Sequence, residues 1–167
     1  AIALQTNGIL VVAGRSDGGG GALDFAVLRL LPTGVLDTTF NTNGKKKVDV
    51  TGDTDIARAV AIQTDARIVL GGYGKNTNYD FAFARLMTDG SMDTSFNTSG
   101  KGTVANCSRD NGDVALTLDT DGKIIEAGTS YNGSNWDMGV IRLHSTGVLD
   151  TSFSTSGKRQ VNNSSYE

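Results

Sequence analysis

Apolar residues in this chain come in short runs cut by glycine and small polar residues, and no segment has a helical period. TNGILVVAG (6–14), TDARIVLGG (64–72) and TDGKIIEAG (120–128) each open on a polar turn and continue as near-unbroken aliphatic stretches, the mark of a strand covered on both faces. DFAVLRL (24–30), DFAFARL (80–86) and DMGVIRL (137–143) follow, with Ala or Gly placed where a second sheet could approach closely. KKKVDV (45–50) and KGTVAN (101–106) are more polar and alternating, as an outer strand should be, and lysines there discourage edge-to-edge pairing. A short apolar strand, ARAVAIQTD (57–65) in the middle copy, precedes each set. The pattern predicts four strands per repeat, three times over, and an all-β chain.

The repeats are spaced by 56 and then 57 residues, as the three DF or DM segments show. A period of this length means stacked supersecondary units rather than one mixed fold. We place repeat units at 1–56, 57–112 and 113–167, forming one continuous repeat domain. Insertions fall in one place, between the strand ending at Gly14, Gly72 or Gly128 and the strand opening at Asp24, Asp80 or Asp137. This segment is expected to be a dispensable loop.

One corner is written three times: GVLDTTFNTNGK (34–45), GSMDTSFNTSGK (90–101) and GVLDTSFSTSGK (147–158). Gly34, Gly90 and Gly147 suit a turn with positive φ, and Gly44, Gly100 and Gly157 suit the reversal into the outer strand. Asp37, Asp93 and Asp150 can accept bonds from N–H groups two or three residues on, capping a single helical turn, while Phe40, Phe96 and Phe153 plug it into the core. Arg29, Arg85 and Arg142 recur inside apolar strands, and a bidentate pair with a recurring Asp would satisfy each guanidinium. The competing reading lines a polar anion tunnel with them.

These motifs, G-x-[LM]-D-T-[ST]-F-x-T-x-G-K preceded by D-[FM]-x-x-x-R-L and T-[DN]-x-x-[IL]-x-x-[AG]-G, resemble the bacterial delta-60 repeat, a β-propeller blade repeat. The resemblance covers essentially the whole chain. It implies three four-stranded antiparallel blades, an open arc or part of a propeller, of a kind found in larger secreted or surface proteins, and it brings no shared catalytic residues. Two departures stand out: Ala66 replaces the glycine of Gly8 and Gly122, and Glu126 replaces Val12 and Leu70. A carboxylate there predicts that this face of the last blade is not fully buried.

Composition narrows the function classes. With 167 residues, 22 Gly and one Pro, the chain can bury a real core rich in turns. It has no apolar run long enough for a membrane span. A formal charge of −3 argues against a nucleic-acid partner, which demands a basic stripe. The opening AIALQTNG reads as part of a repeat and suggests a processed or excised segment. His144 aligns with Leu31 and Met87, and Cys107 has no nearby His, so neither reads as catalytic. GGGG (18–21) lacks the GK[ST] that phosphate cradling needs and reads as a flexible loop. DVTGDTD (49–55) and RDNGD (109–113) gather oxygen ligands that could hold Ca²⁺, but neither has the spacing of a calcium loop; solvated turn chemistry is the expectation, with no metal or cofactor assigned.

Two candidate surfaces remain. YGKNTNY (73–79) and TSYNGSNW (129–136) offer Tyr73, Asn76, Asn78, Tyr79, Tyr131, Asn132, Asn135 and Trp136 as a glycan-binding rim, or else these aromatics simply open the next strand. Sequons at Asn97, Asn106, Asn132, Asn162 and Asn163 are candidate glycosylation sites. The reading that follows is a non-catalytic structural or adhesive module, extracellular or at the cell surface, that joins copies of itself or further repeats head to tail into a filament or ring. A carbohydrate-binding propeller is the alternative.

Overall fold

The computed structural model describes residues 1–19, 21–105 and 109–162, with backbone alone at 18, 19 and 109–112. Cys107 and the sequons at Asn106 and Asn163 lie outside the described residues. The chain forms three four-stranded antiparallel sheets. The first holds β1 (Ile2–Leu4), β2 (Leu10–Gly19), β3 (Ala22–Leu30) and β4 (Lys45–Val48). The second holds β5 (Asp55–Ile62), β6 (Ile68–Lys75), β7 (Tyr79–Leu86) and β8 (Lys101–Val104). The third holds β9 (Arg109–Leu118), β10 (Ile124–Tyr131), β11 (Trp136–Leu143) and β12 (Lys158–Val161). In each sheet the strands lie in chain order, so every connection is a hairpin or the repeated corner. These are three blades of an open propeller-like stack. Among the described residues no helix is long and apolar enough to cross a membrane.

The core lies between blades, because each central strand is apolar on both faces. Val11, Ala13, Phe25, Val27 and Phe40 of the first blade pack against Leu70, Ala82, Ala84 and Leu86 of the second. Val69, Phe81, Phe83 and Phe96 of the second pack against Ile124, Ile141 and Leu143 of the third. The small residues of β7 bring adjacent sheets close, as the sequence led us to expect.

Three expectations change. The segment read as a variable loop is mostly strand: β2 runs to Gly19 and β6 to Lys75, leaving residues 76–78 as the turn in the second blade. Backbone pairing continues through polar side chains because Gly74↔Asp80 and Lys75↔Tyr79 stay in register. Unit boundaries at 56/57 and 112/113 fall inside β5 and β9, so the junctions lie a few residues earlier. Finally, Glu126 is fully buried between the second and third blades. It fits because Gly71 faces it: a Cβ on Gly71 would come within 2.4 Å of Glu126 Oε1.

Candidate functional site

The recurring Arg, Asp and Phe assemble at the corner as one unit. Arg29 Nε meets Asp37 Oδ2, Arg85 Nε meets Asp93 Oδ2 and Arg142 Nε meets Asp150 Oδ2, each at 2.8 Å. Each guanidinium also lies over its own corner ring, at 4.7 Å for Phe40, 4.4 Å for Phe96 and 4.8 Å for Phe153. Asp Oδ1 accepts the backbone N–H and the hydroxyl of the residue two on, Thr39, Ser95 or Ser152. These bonds set the carboxylates' charge state. The Thr39 hydroxyl leads in holding Asp37 below its usual range, and the Ser152 hydroxyl does the same for Asp150. Burial opposes ionisation of Asp93, but Ser95 and Arg85 outweigh it.

Two details differ from the expected corner. The ion pair is not a bidentate fork, because the outer guanidinium nitrogens are used elsewhere. Nor does Asp cap the 3-10 turns at Phe40–Thr42 and Phe96–Thr98: their N-caps are Thr39 and Ser95, and the Asp closes the turn just ahead. Positive φ is shared between glycines and, three times over, a side-chain-bearing pair: Asn41 and Thr42, Asn97 and Thr98, Ser154 and Thr155.

The outer nitrogens carry the corner's second role. Arg29 Nη1 donates to the Thr88 carbonyl of the second blade, and Arg85 Nη1 donates to the Ser145 carbonyl of the third at 2.5 Å. The next bond is repeated too: Asn41 N–H donates to Asp89 O at 2.7 Å, and Asn97 N–H to Thr146 O at 2.9 Å. Phe40 lies against Gly90 and Phe96 against Gly147, so closely that a Cβ on either glycine would sit 2.8 or 2.7 Å from the ring. In the reverse direction Lys101 Nζ donates to Asp49 O, and Lys158 Nζ to Ala105 O at 2.6 Å. Each blade thus grips the next through the same four contacts.

At the two ends these contacts are not made. Gly34 has open space where a ring packs on Gly90 and Gly147. Lys45, the counterpart of Lys101 and Lys158, is exposed. Ile2 and Leu4 are 63% and 67% exposed, whereas their counterparts Val60 and Ile62 pack into the core. On the far face Met138 and Val161 are 58% and 48% exposed, against 0% and 4% for Phe25 and Val48. Phe153 is half-buried where Phe40 and Phe96 are fully buried, and Arg142 keeps the contacts within its own corner, to Asp150, Ser152 and Phe153.

A family model described as a beta-propeller domain of unknown function (DUF5122) matches residues 5–40, 63–96 and 120–153. The chain belongs to this β-propeller family. Each matched segment of this β-propeller repeat ends on, or at, its corner phenylalanine, so the family's repeat is defined by β-strands two and three plus the corner. No curated protein shows significant similarity to the chain.

The hairpin residues lie elsewhere, at one end of each sheet. Tyr73 and Tyr79 meet edge to face with centroids 5.5 Å apart, and Tyr131 and Trp136 lie 5.2 Å apart. Asn76 Nδ2 reaches Asp80 at 3.4 Å and Asn132 Nδ2 reaches Asp137 at 2.6 Å, while Asn135 closes the Asn132 turn. Asn78 supplies the carbonyl that closes the Asn76 turn. Two sequon amides are occupied within the fold: Asn97 Nδ2 donates to Lys101 O at 3.0 Å, and Asn132 Nδ2 donates as above. Asn162 is exposed.

Sequence reasoning missed Lys101 and Lys158 as junction residues, although the Lys closing each corner motif was its signal. Gly71 was also missed, since only its contact with Glu126 distinguishes it.

Proposed function

We propose that this β-propeller repeat chain is a non-catalytic structural module of an extracellular assembly that continues its blade stack head to tail through second copies of itself. The carrying observation is the fourfold contact set between successive blades, made twice within the chain and presented unmade at both ends. Phe153 and Arg142 of one copy would meet Gly34 and the 32–33 carbonyls of the next. Such a heterologous contact gives a ring if the rotation closes and a filament if it does not. The resemblance of the motifs to the delta-60 repeat supports a secreted or surface setting. Mass photometry and electron microscopy at micromolar concentration test the reading. Rings or filaments are expected; a folded, stable species of 17.4 kDa alone overturns it. Further blades of a longer chain covering the same faces would appear as loss of self-association on adding those blades.

A second reading, glycan binding at the hairpin rim, is favoured by Trp136, which is 48% exposed beside Tyr131. Titration of soluble glycans followed by Trp136 fluorescence tests it, and no response across a broad panel removes it.

A further inference from the structure

We propose that Asp24, Asp49 and Asp55 form a Ca²⁺ site at the junction of the first and second blades. Asp24 opens the inner part of β3, Asp49 follows β4, and Asp55 begins β5, so three separate segments converge here. One carboxylate oxygen from each lies within 4.8 Å of the other two. Oxygens that share one Ca²⁺ at 2.3–2.6 Å are spaced in that range, at most about 5 Å across the ion.

The second observation is Asp24 itself. It is 9% exposed, and among the described residues no donor reaches its carboxylate. Its counterparts in the other blades are answered by amides: Asp80 by Asn76, and Asp137 by Asn132 and Gln160. The first blade's hairpin has no Asn, and in place of amide donors Asp24 faces two more carboxylates. A carboxylate this buried, with no donor of its own, favours a cation beside it. The next junction has Ala105 at the Asp49 position, so the acidic set is a feature of this junction.

The other groups around the cluster leave room for a divalent ion. Lys101 Nζ bonds the Asp49 carbonyl but pairs with none of the three carboxylates. Asp53, in the same loop, is turned away to Lys75 at 3.0 Å. Three carboxylates beside one ammonium leave two negative charges uncompensated. Asp55 is anchored by Val50 N–H, Thr51 N–H and the Thr51 hydroxyl, which fixes its oxygens and sets a neutral oxygen beside them. Asp49 is exposed and gives an ion its way in. An all-oxygen, carboxylate-rich set suits a hard cation, and flexible geometry favours Ca²⁺ over Mg²⁺. The competing way to discharge the cluster is a proton on Asp55, whose pKa is raised chiefly by burial, with Asp49 adding to it.

Calorimetric titration of the metal-stripped chain with CaCl₂ at pH 7, paired with thermal melts, separates the two. One Ca²⁺ per chain is expected, with Tm rising by about 5–10 °C at a hundredfold excess over Kd. Asp24→Asn and Asp49→Asn should each weaken binding at least tenfold, and Asp137→Asn should leave it unchanged. In EDTA, Asp24→Asn should melt higher than wild type, because a like charge is gone. If Asp24→Asn does not fold, Asp49→Asn at its exposed position carries the test. Absence of heat and of any Tm shift up to about 10 mM Ca²⁺, or a shift retained in Asp49→Asn, overturns the site.

Discussion

Glu126 and Gly71 are a matched pair. Where the second blade meets the first, Leu70 packs towards Ala13; where the third meets the second, the longer Glu126 takes Leu70's place and Gly71 takes Ala13's. The extra length of Glu126 is accommodated by the missing Cβ of Gly71, but polarity is not matched: neither carboxylate oxygen has a hydrogen-bond partner among the described residues. Burial alone pushes Glu126 well above its usual 4.5, which favours the protonated form in the folded chain. The sign follows from linkage. This group's contribution is fully present below 4.5, where both states bind the proton, and is lost as pH rises through the raised folded value. Glu126→Leu should therefore stabilise by roughly 1–3 kcal/mol, the cost of an unsatisfied buried polar group. The gain should be larger at pH 7 than at pH 4, checked by chemical denaturation at both. The corner carboxylates act oppositely: Asp37, Asp93 and Asp150 are held below 3.8, so their contribution is lost as pH falls through those lowered values. Ala66 offers a second test. It adopts φ +64, where its counterparts Gly8 and Gly122 adopt +80 and +74. A left-handed Ala costs about 1–2 kcal/mol, offset by about 0.4–1 kcal/mol of unfolded-chain entropy gained with glycine. Ala66→Gly should raise stability by about 0.5 kcal/mol, read from the denaturation midpoint.

The corner is an element with two jobs, closing its own blade and gripping the next, and the three copies allow these to be separated. Phe96→Ala removes a fully buried ring that packs on Gly147 and under Arg85, and should cost about 3–5 kcal/mol. Phe153→Ala removes the same ring where no blade covers it and should cost less than half as much in monomer stability. Equal losses in urea melts would mean that the ring acts within its own blade only. Much of this element was legible. The glycines at 34, 90 and 147 and at 44, 100 and 157 all take positive φ, and the Arg–Asp spacing identified the ion pair. What spacing within one repeat does not carry is contact between repeats. Arg85 Nη1 on Ser145 O joins residues 60 positions apart and Phe96 on Gly147 joins residues in different blades, and Asp24, Asp49 and Asp55 meet only once β3 and β5 are packed. Glu126 was misread for the same reason: its burial depends on a glycine in another blade. The hairpins misled differently. Their Asn, Gly and Ser content is that of turns, but paired backbones need no apolar side chains to stay in register.

At the scale of the molecule the two uncovered faces are different surfaces, and that difference makes the proposed association testable by mixing. The first blade presents Ile2, Leu4 and Gly34; the third presents Met138, Val161, Phe153 and Arg142. Leu4→Asp should block only the first face, and Met138→Asp only the second, since both positions are exposed in the single chain and a charge there costs folding little. Each variant alone should stay at 17.4 kDa, because every contact needs one intact face of each kind. An equimolar mixture, however, contains one intact first face and one intact last face, and these can meet once. Mass photometry of the mixture should therefore show a single new species of twice the chain mass and nothing larger, whether the wild type forms filaments or two-copy rings. Association of either variant alone would show that the contact is not head to tail. If the wild type associates but the mixture does not, the interface lies outside these two faces.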